Sequence, residues 1–303
     1  MRDIDKCPCG NAKPRNECCY APVPPLERDT PVRISSVGPA TFKFMSPDYL
    51  PYPPEALAQI QRALPDITLD ANRLFRQIDE VCFQAVSSTM NSIETRLASG
   101  QPKDAVLTAR YATILALWRS LQTTHYHLQN FIYRSHRQEQ SERLRPPMIR
   151  AGDKLSVSLS DLPMAAELDA FLVGCRISSE VLFKVIGDHI GLTEKKRTWP
   201  NVIETLESAS KGSKSKKRGW QRKLLDHLHR HETWFTTMRT LRSEVVHDGS
   251  TNVLVPFRHT RHGSQSARIH SMTADDACFS HWRHLVDMVR VSLEILSKGA
   301  YAA

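Results

Sequence analysis

Residues 241–249 read Leu-Arg-Ser-Glu-Val-Val-His-Asp-Gly and close a helical pattern that begins near Trp220. Gly249 marks the end of this helix, because glycine readily takes the left-handed conformation that follows a last helical turn. Arg242 offers a fixed cationic fork suited to phosphate. His247 exchanges a proton near neutral pH, and the helix dipole favours its protonated form. This pairing indicates chemistry that cleaves RNA without a metal, and the alternative is a solvated helix end.

The spacing of the two residues restricts how they can act together. Side chains five positions apart on an ideal helix point roughly 140° away from each other. Arg242 and His247 therefore converge only if the last turn unwinds at Gly249, or if two copies of the chain pack at this end of the helix.

Residues 234–249 resemble the closing helix motif of HEPN domains, in which an arginine and a polar residue are followed by a histidine. The resemblance implies a helical bundle that dimerises, and either metal-independent ribonuclease activity or binding alone. It implies catalytic roles for Arg242 and His247, with Ser243 and Glu244 orienting the pair.

Two further segments resemble parts of the same family, so the resemblance covers roughly residues 161–300. Residues 176–190 resemble the long first helix of the HEPN bundle. Residues 199–203 open a short helix that is also familiar in that family.

Four cysteines crowd into residues 7–19, which read Cys-Pro-Cys-Gly-Asn-Ala-Lys-Pro-Arg-Asn-Glu-Cys-Cys. Four thiolates at this spacing can close a tetrahedron around zinc, and a segment this short needs a metal to hold it. The alternative is a free or oxidised cysteine cluster. The stretch resembles the SEC-C motif, which implies a structural Zn²⁺ on Cys7, Cys9, Cys18 and Cys19 and an adapter role toward proteins or nucleic acids.

Composition sets the class of the chain. It has 303 residues, 41% of them apolar, and a formal charge of +9 that favours an anionic partner such as nucleic acid. Residues 1–7 carry no apolar signal region, and nothing approaches the roughly 20 apolar residues of a membrane span, so we expect a cytoplasmic protein. Seven cysteines, an odd number, argue against a disulfide framework. We expect the remaining three to fill the core, namely Cys82, Cys175 and Cys278.

The sequence predicts a mainly α-helical protein in four regions. Residues 1–20 form the zinc knuckle and residues 21–54 a proline-rich linker. Residues 55–145 form a helical hairpin that turns at Gly100-Gln101-Pro102, and residues 148–300 form the HEPN-like bundle. Within the bundle, residues 252–257 and 266–270 predict a small β-hairpin around Gly263, before a last helix over residues 276–298.

Histidines outside the motif have their own predictions. His125 lies on an apolar stripe of the helical hairpin and is predicted to be a core histidine, whereas His127 is predicted to be solvated. His227, His229 and His231 cluster on the helix that begins near Trp220, where they offer either a metal site or a nucleic-acid surface. Because the sequence shows no acidic or cysteine partner at suitable spacing, we expect surface histidines.

A basic run precedes that helix. It is either a solvated loop or a patch that contacts phosphates, and its cations include Lys214, Lys216, Lys217, Arg218 and Arg222. The sequence thus predicts a metal-independent RNA endonuclease or an RNA-binding protein that forms a homodimer. The alternative is a non-catalytic adapter that recruits a protein or nucleic-acid partner through the zinc knuckle and the bundle.

Overall fold

The computed structural model describes residues 66–100, 104–143, 162–211, 219–248, 254–255, 257–260 and 263–300. These residues are mainly helical, as predicted. A short 3-10 helix, Glu194–Lys196, lies between the third and fourth helices. The α-helices are α1 (Asp66–Ala98), α2 (Ala105–Arg143), α3 (Leu162–His189), α4 (Trp199–Lys211), α5 (Gly219–Arg230), α6 (Glu232–Asp248) and α7 (Ala274–Ala300).

The helical hairpin is confirmed in α1 and α2. Gly100 lies between them with a φ of 73°, a conformation that favours glycine. Asp104 caps α2, since its carboxylate accepts hydrogen bonds from the backbone N–H groups of Val106 and Leu107. The same two bonds, with that of Leu107 the larger influence, lower the pKa of Asp104.

One hydrophobic core joins the hairpin to the later helices. Phe131 of α2, Phe171 of α3 and Trp282 of α7 are completely buried in it. The indole Nε1 of Trp282 donates a hydrogen bond to the backbone oxygen of Ala71 in α1, 3.2 Å away. Residues 66–303 accordingly form one compact unit.

The segment that begins near Trp220 differs from the predicted continuous helix. The chain breaks at His231, between α5 and α6. The N–H of His231 bonds to the oxygen of Leu228, three residues back, and the α-helical pattern resumes when Phe235 N–H bonds to His231 oxygen. Leu224 and Leu228 of α5 are buried, and so are Phe235 and Met238 of α6.

Five short strands follow α6: β1 (Leu254–Val255), β2 (Arg258–Thr260), β3 (Gly263–Gln265), β4 (Arg268–Ile269) and β5 (Met272–Thr273). β2 pairs with β3, and β1 pairs with β4, all antiparallel. The predicted hairpin is therefore present. β5, which pairs with β4 to make a three-stranded sheet, was not predicted.

Thr273 ends β5 and caps α7. Its hydroxyl accepts a hydrogen bond from the backbone N–H of Asp276 and donates one to the Asp276 carboxylate. This cap fixes where α7 begins, and α7 supplies most of the polar residues of the site described below. Among the described helices, none combines the length and the apolar character that crossing a membrane requires.

Candidate functional site

A cleft of about 1240 Å³ opens beside α7, between the end of α5 and the β4–β5 turn. Four arginines line it, and three of them are exposed to solvent. Arg290, the half-buried one, is paired with Asp287 and Glu294. The four are Arg230, Arg268, Arg283 and Arg290. The cleft also contains His231, His284 and two aspartates.

The cleft keeps a net positive charge, because four arginines face two aspartates in its lining. Asp276 is occupied by the Thr273 hydroxyl. The Oδ1 atom of Asp287 accepts a hydrogen bond from Arg290 at 3.1 Å, and its Oδ2 atom lies 3.2 Å from Nε2 of His231. The hydrogen bond from His231 is the main reason that the pKa of Asp287 falls to about 2. Within the part of the chain that the structure describes, no carboxylate pairs with Arg230, Arg268 or Arg283, although Arg230 contacts His227 and Arg268 donates to the Ser271 oxygen.

Histidines crowd the wall of the cleft where α5, α6 and α7 meet. Nδ1 of His231 lies 3.4 Å from Nδ1 of His284. The rings of His227 and His231 lie 4.8 Å apart. His227 is 1% exposed and His231 is 5% exposed, so the prediction of surface histidines is wrong for these two. His229 is the exposed member, beside Glu207 and Glu232.

The reason for that error is distance along the chain. The acidic partner of His231 is Asp287, 56 residues later on α7. Local spacing in the sequence does not connect residues this far apart. The packing of the helices in the fold brings His231 and Asp287 into contact. The clustering of His227, His229 and His231 is the signal in the sequence that pointed to this wall.

Trp234 holds the ring of His284. The two rings are stacked, with centroids 5.7 Å apart and planes 17° from parallel. The indole N–H of Trp234 donates to Nδ1 of His281 at 2.9 Å, which fixes the tryptophan in turn. Burial, and next the neighbouring His231, lower the pKa of His284, so its neutral form predominates at pH 7. Burial lowers the pKa of His281 to about 4.

His227, His231 and Asp287 also lie close enough together to be considered as metal ligands, with one ligand atom of each within 4.8 Å of the others. Two guanidinium groups oppose a cation there. Arg230 Nη2 lies 3.2 Å from Nδ1 of His227, and Arg290 holds the Asp287 carboxylate. Because guanidinium only donates, Nδ1 of His227 must accept, and its Nε2–H then faces the Met288 oxygen at 3.4 Å. This arrangement fits an anion better than a divalent cation.

The predicted catalytic pair lies on α6, which runs without a break through Asp248. No unwinding therefore separates Arg242 from His247, and positions five apart on an ideal helix are about 140° apart around its axis. Arg242 is half-buried, and its Nε atom is buried without a hydrogen-bond partner among the described residues. The side chain of His247 lies outside the described part of the structure, as does Gly249.

The residues expected to orient the pair occupy different surroundings. Ser243 is exposed. Glu244 lines a second cleft, of about 600 Å³, between α6 and the β4–β5 turn, and its carboxylate lies 3.6 Å from His270. Both clefts share Arg230 and His284 in their walls.

Of the predicted basic patch, only Arg222 is described. It is exposed on α5, eight residues before Arg230, which corresponds to about 12 Å along the helix. Residues 212–218, with Lys214, Lys216, Lys217 and Arg218, lie outside the described residues. So do Cys7, Cys9, Cys18 and Cys19, and their zinc site stays a prediction.

The remaining histidine and cysteine predictions are tested by the hairpin. His125 is a core histidine, stacked on Phe75 with ring centroids 4.2 Å apart. His127 is not solvated as predicted, because Glu167 of α3 lies 2.8 Å from its Nδ1. The core assignment of Cys82, Cys175 and Cys278 is confirmed, and burial raises the pKa of each thiol.

Comparison of the chain with protein-family models, with curated proteins and with solved structures finds no match in any of the three. The described residues themselves define a helical bundle with a small antiparallel sheet and an arginine-lined cleft.

Proposed function

We propose that this protein binds RNA in the arginine-lined cleft and cleaves it without a metal ion. The observation that carries the proposal is the cluster of four arginines around one cleft, three of them exposed. Guanidinium groups bind phosphate oxygens through paired N–H donors. The chain's charge of +9 adds a long-range attraction for a polyanion.

The size of the cleft supports a polymer rather than a small ligand. Its volume, about 1240 Å³, exceeds the range of roughly 300–1,000 Å³ that is usual for small-molecule sites. The second cleft meets it at Arg230 and His284 and continues along α6 toward Glu244. A strand that follows both clefts approaches the helix that carries Arg242 and His247.

Binding is tested with the double variant Arg268→Ala/Arg283→Ala. Fluorescence anisotropy of a labelled single-stranded RNA, repeated over a series of salt concentrations, gives affinity and salt dependence. We expect at least tenfold weaker binding and a salt slope smaller by about 0.7 for each phosphate that is no longer neutralised. Arg119→Ala on α2 is the control, since Arg119 is exposed and does not line the cleft. Equal weakening in the control and the double variant would refute the cleft as the binding site.

Cleavage by the Arg242–His247 pair is part of the proposal. His247 would transfer the proton of a ribose 2′-hydroxyl, and Arg242 would stabilise charge on the phosphate. Substitution of either residue by alanine should then lower cleavage by about 10²-fold or more. Since the two directions diverge within one helix, we propose that a homodimer supplies one residue from each chain. Co-expressed Arg242→Ala and His247→Ala chains should regain activity, because one of the two shared sites in each mixed dimer is intact.

The second candidate function is a non-catalytic adapter that recruits a protein or nucleic-acid partner. RNA binding by the arginine cleft without any cleavage would favour it. In this function the cysteine motif near the amino terminus would be the module that docks on the partner.

A further inference from the structure

We infer that His284, supported by His231 and Asp287, is a proton-transfer group that acts on the RNA bound in the arginine-lined cleft. This inference rests on the proposed function, because it needs a phosphodiester in that cleft. It gives the role of proton acceptor to His284, outside the predicted Arg242–His247 motif, in place of His247.

The hydrogen-bond chain determines which nitrogens carry protons. Arg290 holds the Asp287 carboxylate, which is ionised because its pKa lies at about 2. A carboxylate only accepts, so Nε2 of His231, 3.2 Å away, must carry the proton between them. With both rings neutral, Nδ1 of His231 is an acceptor, and the contact of 3.4 Å between the two Nδ1 atoms then places the proton of His284 on its Nδ1 atom.

The consequence for His284 is a bare Nε2 atom. With its proton on Nδ1, the neutral ring has its lone pair on Nε2, and no hydrogen bond to the described residues occupies that atom. His284 lines the cleft, half-exposed, beside Arg283. A base next to exposed guanidinium groups is placed where a bound phosphate and the adjacent ribose hydroxyl would lie.

The surroundings also stabilise the ring after it accepts a proton. His231 faces its Nδ1–H, and Asp287 lies behind His231 with a negative charge. The face of Trp234 stacks on the ring and attracts a cation. Opposing influences are burial and the nearby positive groups, which keep the ring neutral before reaction. The charged and titratable groups that line the two clefts with His284 come from every neighbouring element: Arg230 of α5, His231 at the α5–α6 break, Glu244 of α6, Arg268 and His270 by β4, and Asp276, His281, Arg283, Asp287 and Arg290 of α7.

The step we propose is internal transesterification. The 2′ oxygen of the ribose forms a bond to phosphorus, and its proton passes to Nε2 of His284. The bond from phosphorus to the 5′ oxygen breaks, and that oxygen takes the proton back from the imidazolium. The products are a 2′,3′-cyclic phosphate and a 5′-hydroxyl end, and the histidine returns to its starting form. No oxidant, reductant or metal is consumed.

The activity test uses the full-length protein and a single-stranded RNA with a known cleavage position. His284→Ala should lower the cleavage rate by about 10²-fold or more while leaving RNA affinity within twofold. His229→Ala is the matched control, because His229 is exposed near the same end of α5 and outside the cleft wall. Unchanged cleavage by His284→Ala would overturn the inference and leave Arg242 and His247 as the catalytic residues.

Asp287→Asn separates positioning from chemistry. The amide keeps an oxygen acceptor for His231 but loses the negative charge. We expect the apparent pKa in the rate–pH profile to move down, because the carboxylate stabilises protonated His284. A profile that does not move would show that Asp287 only holds the fold together. The alternative is that His227, His231 and Asp287 bind a metal ion. It is tested by removing metal ions with a chelator and then adding zinc. Cleavage that requires the added zinc would overturn the inference.

A measurement independent of activity covers the case in which a variant does not fold. Nitrogen chemical shifts of ¹⁵N-histidine-labelled protein report which ring nitrogen bears the proton. We expect the Nε2–H form for His231 and the less common Nδ1–H form for His284, and an Nε2–H form for His284 would overturn the inference. RNA that binds without being cut would also overturn it while leaving the binding half of the proposed function intact. Absence of RNA binding would refute both.

Discussion

Gly174 of α3 lies directly against Thr124 of α2: a Cβ atom on the glycine would stand 2.6 Å from the threonine Oγ1 and 3.3 Å from its Cα. That hydroxyl donates to the backbone oxygen of Ser120 at 2.7 Å and lies 3.3 Å from Oγ of Ser178. Small and hydroxyl-bearing residues thus let the two helices approach closely. The spacing of α2 and α3 in turn sets the position of the core on which α7 rests.

Gly174→Ala should destabilise the fold. Alanine is better than glycine in a helix interior by about 1 kcal/mol, but forcing a methyl group into a filled space costs about 1–3 kcal/mol. We expect a net decrease of about 1 kcal/mol in the free energy of unfolding, measured by urea titration. Gly219→Ala is the control, since a Cβ there meets no described residue within 4 Å, and its midpoint should stay the same or rise. Equal shifts in both variants would contradict the close-approach explanation.

Asp188→Asn tests a buried ionic junction. The Asp188 carboxylate holds Arg110 of α2 and Arg197 beyond α3, each at 3.0 Å, and its side chain is 11% exposed. Removal of the charge leaves both guanidinium groups without this counter-ion, and we expect a decrease in stability of about 1–3 kcal/mol by urea titration. Asp70→Asn removes an exposed pair with Arg73 and should change stability by less than about 1 kcal/mol. An Asp188→Asn variant with an unchanged free energy of unfolding would show that this ionic junction does not stabilise the fold.

Acid should weaken the bundle partly through His125. Burial lowers the pKa of this ring to about 3, whereas the unfolded chain takes up a proton near pH 6.5. Between these values the unfolded state binds the additional proton, so stability falls as pH falls through this window. We expect His125 alone to account for about 2 kcal/mol between pH 7.5 and pH 5.

His125→Gln should lower stability at both pH values because the ring stacking is removed, yet show a smaller decrease between them. Urea midpoints at pH 7.5 and pH 5 measure this difference. The parent protein, measured at the same two pH values, is the reference. An unchanged pH dependence in His125→Gln would contradict the assignment.

The cysteine prediction is tested by elemental analysis. Freshly reduced protein should contain about one zinc ion per chain, held by Cys7, Cys9, Cys18 and Cys19. Removal of residues 1–20 should abolish the zinc and leave the thermal transition of the bundle cooperative, since residues 66–303 form their own core. Zinc-free protein at full cysteine reduction would exclude the site.

The helices were predictable because their apolar residues recur at helical spacing and strong breakers separate them. The stripe through Trp282, Val286, Val289 and Leu293 identified α7, and Gly100 with Pro102 marked the turn between α1 and α2. The break at His231 was not predictable, because no glycine or proline announces it. At this break the His231 ring contacts Asp287 and His284 of α7.

The candidate site was only half accessible to sequence reasoning. Arg242 and His247 are found by local spacing. The arginine-lined cleft is formed from three separate segments of the chain, which carry Arg230 on α5, Arg268 on β4, and Arg283 and Arg290 on α7. The His231–Asp287 contact spans 56 positions. Such groupings depend on how the helices pack against each other, and local spacing in one sequence does not predict that packing.

The bond from Trp282 to Ala71 bears on how the chain assembles during its own synthesis. The two residues are 211 positions apart. At roughly 5–20 residues per second, a ribosome that has made Ala71 needs about 10–40 s more to reach Trp282. During that interval α7 is not yet present to cover the face of α1 that it contacts in the folded protein. A chaperone that binds apolar helices can bind this face. Among the helices that the structure describes, the last to be translated completes the burial of the first.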